Sequence, residues 1–140
     1  MYTYLVPTMP CIEPLGMENG TITDSQIESS GDFSAIHIAA YGRLNLYVDG
    51  VTQGWIPASY LRANEWLQIN LYRQTLITGI VMQGQYRGSY NIAHWTTTYK
   101  VSTSLDNKLW EFVTDENGVV EVRLMTFCYC HFFCLIFPLF

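Results

Sequence analysis

Charge is scarce in this chain, and what there is leans acidic. Only 14% of the 140 residues are Asp, Glu, Lys or Arg, with 12 acidic side chains against 7 basic ones. The basic residues are scattered from Arg43 to Arg123. They form no cluster suited to a phosphate backbone, which argues against a nucleic-acid partner. Cysteine is missing between Cys11 and Cys128. No stretch shows sustained helical periodicity. There is no G-x-S-x-G, H-E-x-x-H, P-loop or G-x-G-x-x-G, and His37, His94 and His131 stand far apart, so neither a catalytic residue nor a cofactor is expected. The first ten residues lack a basic stretch, and Pro7 and Pro10 break their apolar run, so no secretory signal is visible. Scarce charge does not mean disorder here. The chain is 49% hydrophobic and 15% aromatic, and its length suits one domain that buries about two-thirds of its unfolded surface.

What is present reads as β structure over residues 12–120. Leu67, Ile69 and Leu71 alternate with Gln68 and Asn70, the pattern of a half-buried strand. Leu76, Ile77, Ile80 and Val81 make a second β-forming run, interrupted by Gly79. Tyr99, Val101 and Thr103 alternate with Lys100 and Ser102, and Trp110, Phe112 and Val113 follow. Asp106-Asn107 and Asn117-Gly118 are turn dipeptides between such runs. The segments Tyr47–Pro57 and Gly84–Asn91, rich in Gly, Tyr and polar residues, read as long loops. Short strands at regular spacing predict an all-β antiparallel sandwich or barrel. Trp55, Trp66 and Trp110, at strand positions or strand edges, are expected in its core.

The composition changes near residue 121. Leu124–Phe140 carries no Asp, Glu, Lys or Arg and contains five Phe and three Cys. Such a stretch is slightly shorter than the roughly 20 residues that span a bilayer. Cys128, Cys130, His131 and Cys134 are soft ligands, but they crowd together without a distant second pair, so no metal site is expected.

Several words occur in a recognisable order. They are Cys11-Ile12-Glu13-Pro14-Leu15-Gly16-Met17-Glu18-Asn19-Gly20-Thr21-Ile22, then Asp24-Ser25-Gln26-Ile27, Arg43-Leu44-Asn45, and Gly54-Trp55-Ile56-Pro57. Glu65-Trp66-Leu67-Gln68-Ile69-Asn70-Leu71, Thr78-Gly79-Ile80-Val81, Gln83-Gly84 and Tyr99-Lys100-Val101-Ser102 follow. Asp106-Asn107-Lys108-Leu109-Trp110 and Asp115-Glu116-Asn117-Gly118 close the series. With these words the chain resembles the discoidin family, also called the coagulation factor 5/8 type C domain, over about residues 11–120.

The resemblance implies an antiparallel eight-stranded jelly-roll-like barrel or sandwich whose loops at one end bind ligands. It implies non-catalytic attachment to cell-surface or matrix ligands: glycans, phospholipid headgroups, collagen or receptor proteins. It also implies an extracellular or cell-surface location. The division is then an N-terminal extension (1–10), a partial discoidin domain (11–120) and an off-family hydrophobic tail (121–140). The family's aromatic strand, Arg-containing strand and closing cysteine have no counterpart after Gly118. The barrel is therefore expected to be truncated, and Cys11 lacks the disulfide partner that the resemblance assigns to it. The first binding loop falls in Ser29–Tyr41, with Phe33, Ile36 and Ile38 as apolar contacts and His37 as an ordinary loop histidine. The second lies around Tyr47–Asp49 and Pro57–Tyr60, and the third, Gln85–Ile92, carries Tyr86, Arg87, Tyr90 and Asn91 for stacking and polar contact. Asn19-Gly20-Thr21 fits both a turn and an N-glycosylation acceptor. The alternative function is a truncated or membrane-associated isoform with little or no ligand binding, its fate dictated by the tail.

Overall fold

The computed structural model describes residues 13–48, 51–59, 64–87 and 92–124. These form an all-β, antiparallel chain with two single-turn 3-10 helices, Asp24–Gln26 and Ala39–Tyr41. In chain order the strands are β1 (Ile27–Ser29), β2 (Tyr47–Val48), β3 (Val51–Thr52), β4 (Leu67–Ile69) and β5 (Gln85–Arg87). They continue with β6 (Ile92–His94), β7 (Thr98–Tyr99), β8 (Ser102–Thr103), β9 (Glu111–Phe112) and β10 (Arg123–Leu124). Among the described residues the ladders are two-stranded: β1 with β4, β2 with β3, β5 with β6, β8 with β9, and β7 with β10.

The β1–β4 ladder positions the rest. Ile27 faces Ile69, Glu28 faces Gln68, and Ser29 faces Leu67. Its lower end is closed by the first 3-10 turn, where the Gln26 side-chain amide donates to the Asn70 carbonyl (2.7 Å) and the Asn70 N–H donates to the Gln26 carbonyl (2.8 Å). Its upper end is closed by the Ser30 N–H, which donates to the Trp66 carbonyl (3.0 Å). Ile27 is buried and Glu28 exposed, the period-2 alternation of a strand with one covered face. Ile27 packs in a core with Met17, Ile22 and Ala39, flanked by the partly buried Leu15, Trp55, Leu67 and Leu71. Arg43 braces this core from the side: its guanidinium donates to the Met17 carbonyl (2.9 Å) and pairs with the exposed Asp24 carboxylate.

The two turn dipeptides behave as expected, and each is organised by a carboxylate. Asp106 accepts from the backbone N–H groups of Lys108 (2.8 Å) and Leu109 (2.9 Å). Asp115 accepts from those of Asn117 (2.9 Å) and Val119 (2.9 Å). Gly118 supplies the positive φ (+76°) that this hairpin needs, and Thr114 pairs with Val120 just outside it.

Three expectations are corrected. Tyr47–Pro57 and Gly84–Asn91 are not simply loops: the first contains the β2–β3 hairpin and the second contains β5, paired with β6. Tyr and Val favour strands, so a Gly-rich surrounding did not make these segments irregular. The run Leu76–Val81 forms no strand, and within it Thr78 alone is bridge-paired. Leu76 and Ile80 are exposed there, because β-propensity by itself does not build a ladder. Trp66 and Trp110 are not core residues: they are 46% and 44% exposed. A strand position sets which face a side chain takes, but among the described residues no second layer covers those faces. Trp55 does join the core cluster.

Two measurements check this architecture. Ile27→Ala should lower stability by about 2–5 kcal/mol in urea unfolding, the range for a large-to-small core substitution. Backbone hydrogen bonds hold the Asp106 and Asp115 carboxyls below the usual aspartate pKa. A depressed folded-state pKa stabilises above the unfolded value and is lost as pH falls through the folded one. Hydrogen exchange of the Leu109 and Val119 amides should therefore gain an opening contribution only in acid, with no change across neutral pH, and Asp115→Ala should speed Val119 exchange already at neutral pH.

Candidate binding loops

The first loop leaves the upper end of β1 and is fastened along its length. The Phe33 N–H donates to the Ile56 carbonyl (2.9 Å), the Ile56 N–H donates to the His37 carbonyl (3.3 Å), and the Ala58 N–H donates to the Gly31 carbonyl (3.1 Å). Asp32 and Pro57 form an antiparallel bridge between the same two segments. The Trp55 indole N–H is shared between the Gly31 carbonyl (3.3 Å) and the Asp32 carboxylate (3.1 Å). Within the loop, Ser34 Oγ hydrogen-bonds His37 Nδ1 (2.8 Å), and the Phe33 and His37 rings meet edge-on with centroids 6.0 Å apart.

This fastening decides which side chains stay outside. The backbone polar groups of the loop are matched to the 55–58 segment, and His37 is buried beneath it. Phe33 and Ile36 remain 52% and 54% exposed, while Ile38 is half-buried at the start of the second 3-10 turn. Of the three apolar residues expected in this loop, two are thus presented to solvent and one is partly withdrawn. His37 is more than an ordinary loop histidine, since its buried ring holds the Ser34 hydroxyl and meets the Phe33 ring. The Ser34-x-x-His37 spacing was the available signal, because three residues let a side chain fold back over one turn.

The second loop is the β2–β3 hairpin, with Tyr47 exposed and paired to Thr52. Asp49 lies outside the described residues. The Gln53 N–H donates to the Leu46 carbonyl (2.9 Å) at the hairpin base, which leads directly into the segment that holds the first loop. The third loop is the β5–β6 hairpin. Tyr86 is paired to Ala93 and Arg87 to Ile92, so both belong to a strand rather than to a loop. Tyr90 and Asn91 lie outside the described residues, as do Cys11 and the Cys128, Cys130, His131 and Cys134 group. β3 packs against β5, and the Asn45 N–H donates to the Gln83 side-chain carbonyl (2.8 Å). The bases of all three loops are therefore linked into one region.

The backbone of the first loop is anchored by hydrogen bonds while the Phe33 and Ile36 side chains face outward. It can insert apolar surface into a ligand or an interfacial layer without reorganising, which lowers the cost of binding.

Residues 21–126 match the F5/8 type C domain family. Lactadherin of Mus musculus is 35% identical over 111 residues, covering 77% of this chain and 23% of that protein. Neuropilin-1 of Gallus gallus is 34% identical over 110 residues, covering 79% of this chain and 12% of that protein. Coagulation factor VIII of Sus scrofa is 36% identical over 101 residues, covering 71% of this chain and 5% of that protein. The chain thus spans a quarter or less of the length of these relatives.

His37→Ala should speed hydrogen exchange at the Phe33 amide and at the amide of residue 37, while leaving the Gln68 amide, opposite Glu28 at a hydrogen-bonded position of the β1–β4 ladder, nearly unchanged.

Proposed function

The chain belongs to the F5/8 type C (discoidin) domain family, and from that premise we propose that it is a non-catalytic extracellular attachment module. It docks on a cell-surface or matrix ligand through the loop end that carries Phe33, Ile36 and Tyr47, with Ile38, Asp49, Tyr86, Arg87, Tyr90 and Asn91 as further contacts. The observation that carries this reading is the exposure of Phe33 and Ile36 on a backbone locked to residues 55–58. Exposed apolar side chains on a rigid loop cost water-exposed surface and no ordering on binding. A phospholipid surface suits them best among the candidate ligands, since both are apolar and exposed. Glycan, collagen and receptor protein are the other ligand classes.

A specific observation favours the second reading, a membrane-associated isoform with little or no ligand binding. Leu105, Leu109, Trp110, Phe112, Val119 and Val122 are all exposed, so the part of the chain that leads into the tail has uncovered apolar surface. No helix among the described residues is long and apolar enough to cross a membrane.

One assay separates the two. Phosphatidylserine–phosphatidylcholine vesicles are co-sedimented with the full chain, with the Phe33→Ala/Ile36→Ala variant, and with a chain ending at Leu124. Full burial of either side chain is worth about 1.5–3 kcal/mol, and a tenfold affinity change corresponds to about 1.4 kcal/mol. The double variant should therefore bind at least about tenfold more weakly, with the shortened chain unaffected. Unchanged binding by the double variant together with loss in the shortened chain would establish the tail reading instead.

A further inference from the structure

We propose that Asn19 is a site of N-linked glycosylation. Of the seven asparagines, only Asn19 heads an Asn-x-Ser/Thr triplet without proline, in Asn19-Gly20-Thr21. All three residues of the triplet are exposed. They form the tip of a loop closed by the Ile22 N–H, which donates to the Gly16 carbonyl (3.1 Å). The loop is anchored at its base by the buried Met17 and Ile22 side chains. Glu18, the residue before the triplet, is occupied by the Asn45 side-chain amide (2.8 Å) and does not cover Asn19.

The conformation of the triplet is the second observation. Gly20 turns the chain with φ +79°, and Asn19 Oδ1 accepts the Thr21 backbone N–H at 3.0 Å. This Asx turn brings the acceptor amide and the Thr21 residue to the same side of a three-residue bend. It engages the amide oxygen and leaves Nδ2, the atom to be modified, with no hydrogen-bond partner among the described residues. The folded surface therefore accommodates a large substituent on Nδ2 without breaking a contact: no core residue, ion pair or loop fastening involves it.

The modification forms a bond between Asn19 Nδ2 and the anomeric carbon of an oligosaccharide. That carbon's bond to the diphosphate of a lipid-linked donor breaks, and Nδ2 gives up one proton. The donor and the transferase are those of the secretory route. The proposal needs the chain to enter that route and does not depend on which ligand the loops bind, so a negative vesicle experiment leaves it standing. Asn19 is also none of the residues assigned to ligand contact.

The test translates the full chain behind a cleavable leader, with an added reporter triplet at its C-terminus, in the presence of microsomes. Only reporter-glycosylated molecules are scored, so failed translocation does not enter the result. The expected outcome is a second amidase-sensitive gel shift, absent in Asn19→Gln and in Thr21→Ala and retained in Thr21→Ser. Amidase release in heavy-oxygen water should label residue 19 well above a parallel incubation without amidase, which measures the label taken up by spontaneous deamidation at Asn19-Gly20. Reporter-glycosylated molecules with an unmodified Asn19 would overturn the proposal, as would a second shift that survives Thr21→Ala.

Discussion

Trp55 packs one side of its ring against the Met17, Ile22, Ile27 and Ala39 core and directs its indole N–H to Gly31 and Asp32. The same residue thus closes the hydrophobic cluster and fastens the loop that presents Phe33 and Ile36. Its neighbourhood is tight. A Cβ on Gly42 would fall 2.8 Å from Leu67 Cδ2, 3.2 Å from the Ala39 carbonyl oxygen and 3.5 Å from Trp55 Cβ. A side chain at 42 would have to displace the Leu67 methyl and crowd the Ala39 carbonyl beside Trp55. The absence of one at Gly42 lets the second 3-10 turn, β4 and Trp55 approach closely.

Burial is distributed unevenly along the chain. Among the described residues, buried hydrophobic side chains lie between Met17 and Leu44, with Trp55, Leu67 and Leu71 packed against them. Beyond Leu71 the described hydrophobics are at most half-buried, and many are exposed. The β8–β9 pair shows the consequence locally. Phe112 is exposed on it, and its ring is approached by the Lys100 ammonium 5.8 Å from the centroid. Hydrogen bonding and the Asp106 and Asp115 turns hold this part together more than burial does. Such turns are local and survive without a second layer, whereas a hydrophobic face needs one.

Much of the fold was legible in the residues. Asn117-Gly118 and Asp106-Asn107 turned as their backbone preferences require, and Leu67–Ile69 formed β4, although Ile69 is exposed and Gln68 half-buried, against the alternation that the residues suggest. The exposure of Trp66 and Trp110 is not legible there, because apolarity at a strand position says which face a ring takes and not whether anything covers that face. Nor are the strand positions of Tyr47, Tyr86 and Arg87, where Gly and polar neighbours compete with β-favouring aromatics. Pairing between distant segments decides that contest, and no local window contains it.

The candidate site divides in the same way. The sequence by itself determined that the chain is all-β, which family it resembles, and that Phe33, Ile36 and Ile38 fall between two β elements. These follow from local propensity, turn chemistry and the order of short words. Only the tertiary structure decided that Phe33 and Ile36 stay outside while Ile38 is drawn in, and that His37 lies beneath the loop. Those outcomes come from hydrogen bonds between residues 31–37 and 55–58, some twenty positions apart. Exposure is a property of what packs against a residue, and packing partners at that separation are set by the whole chain closing on its core.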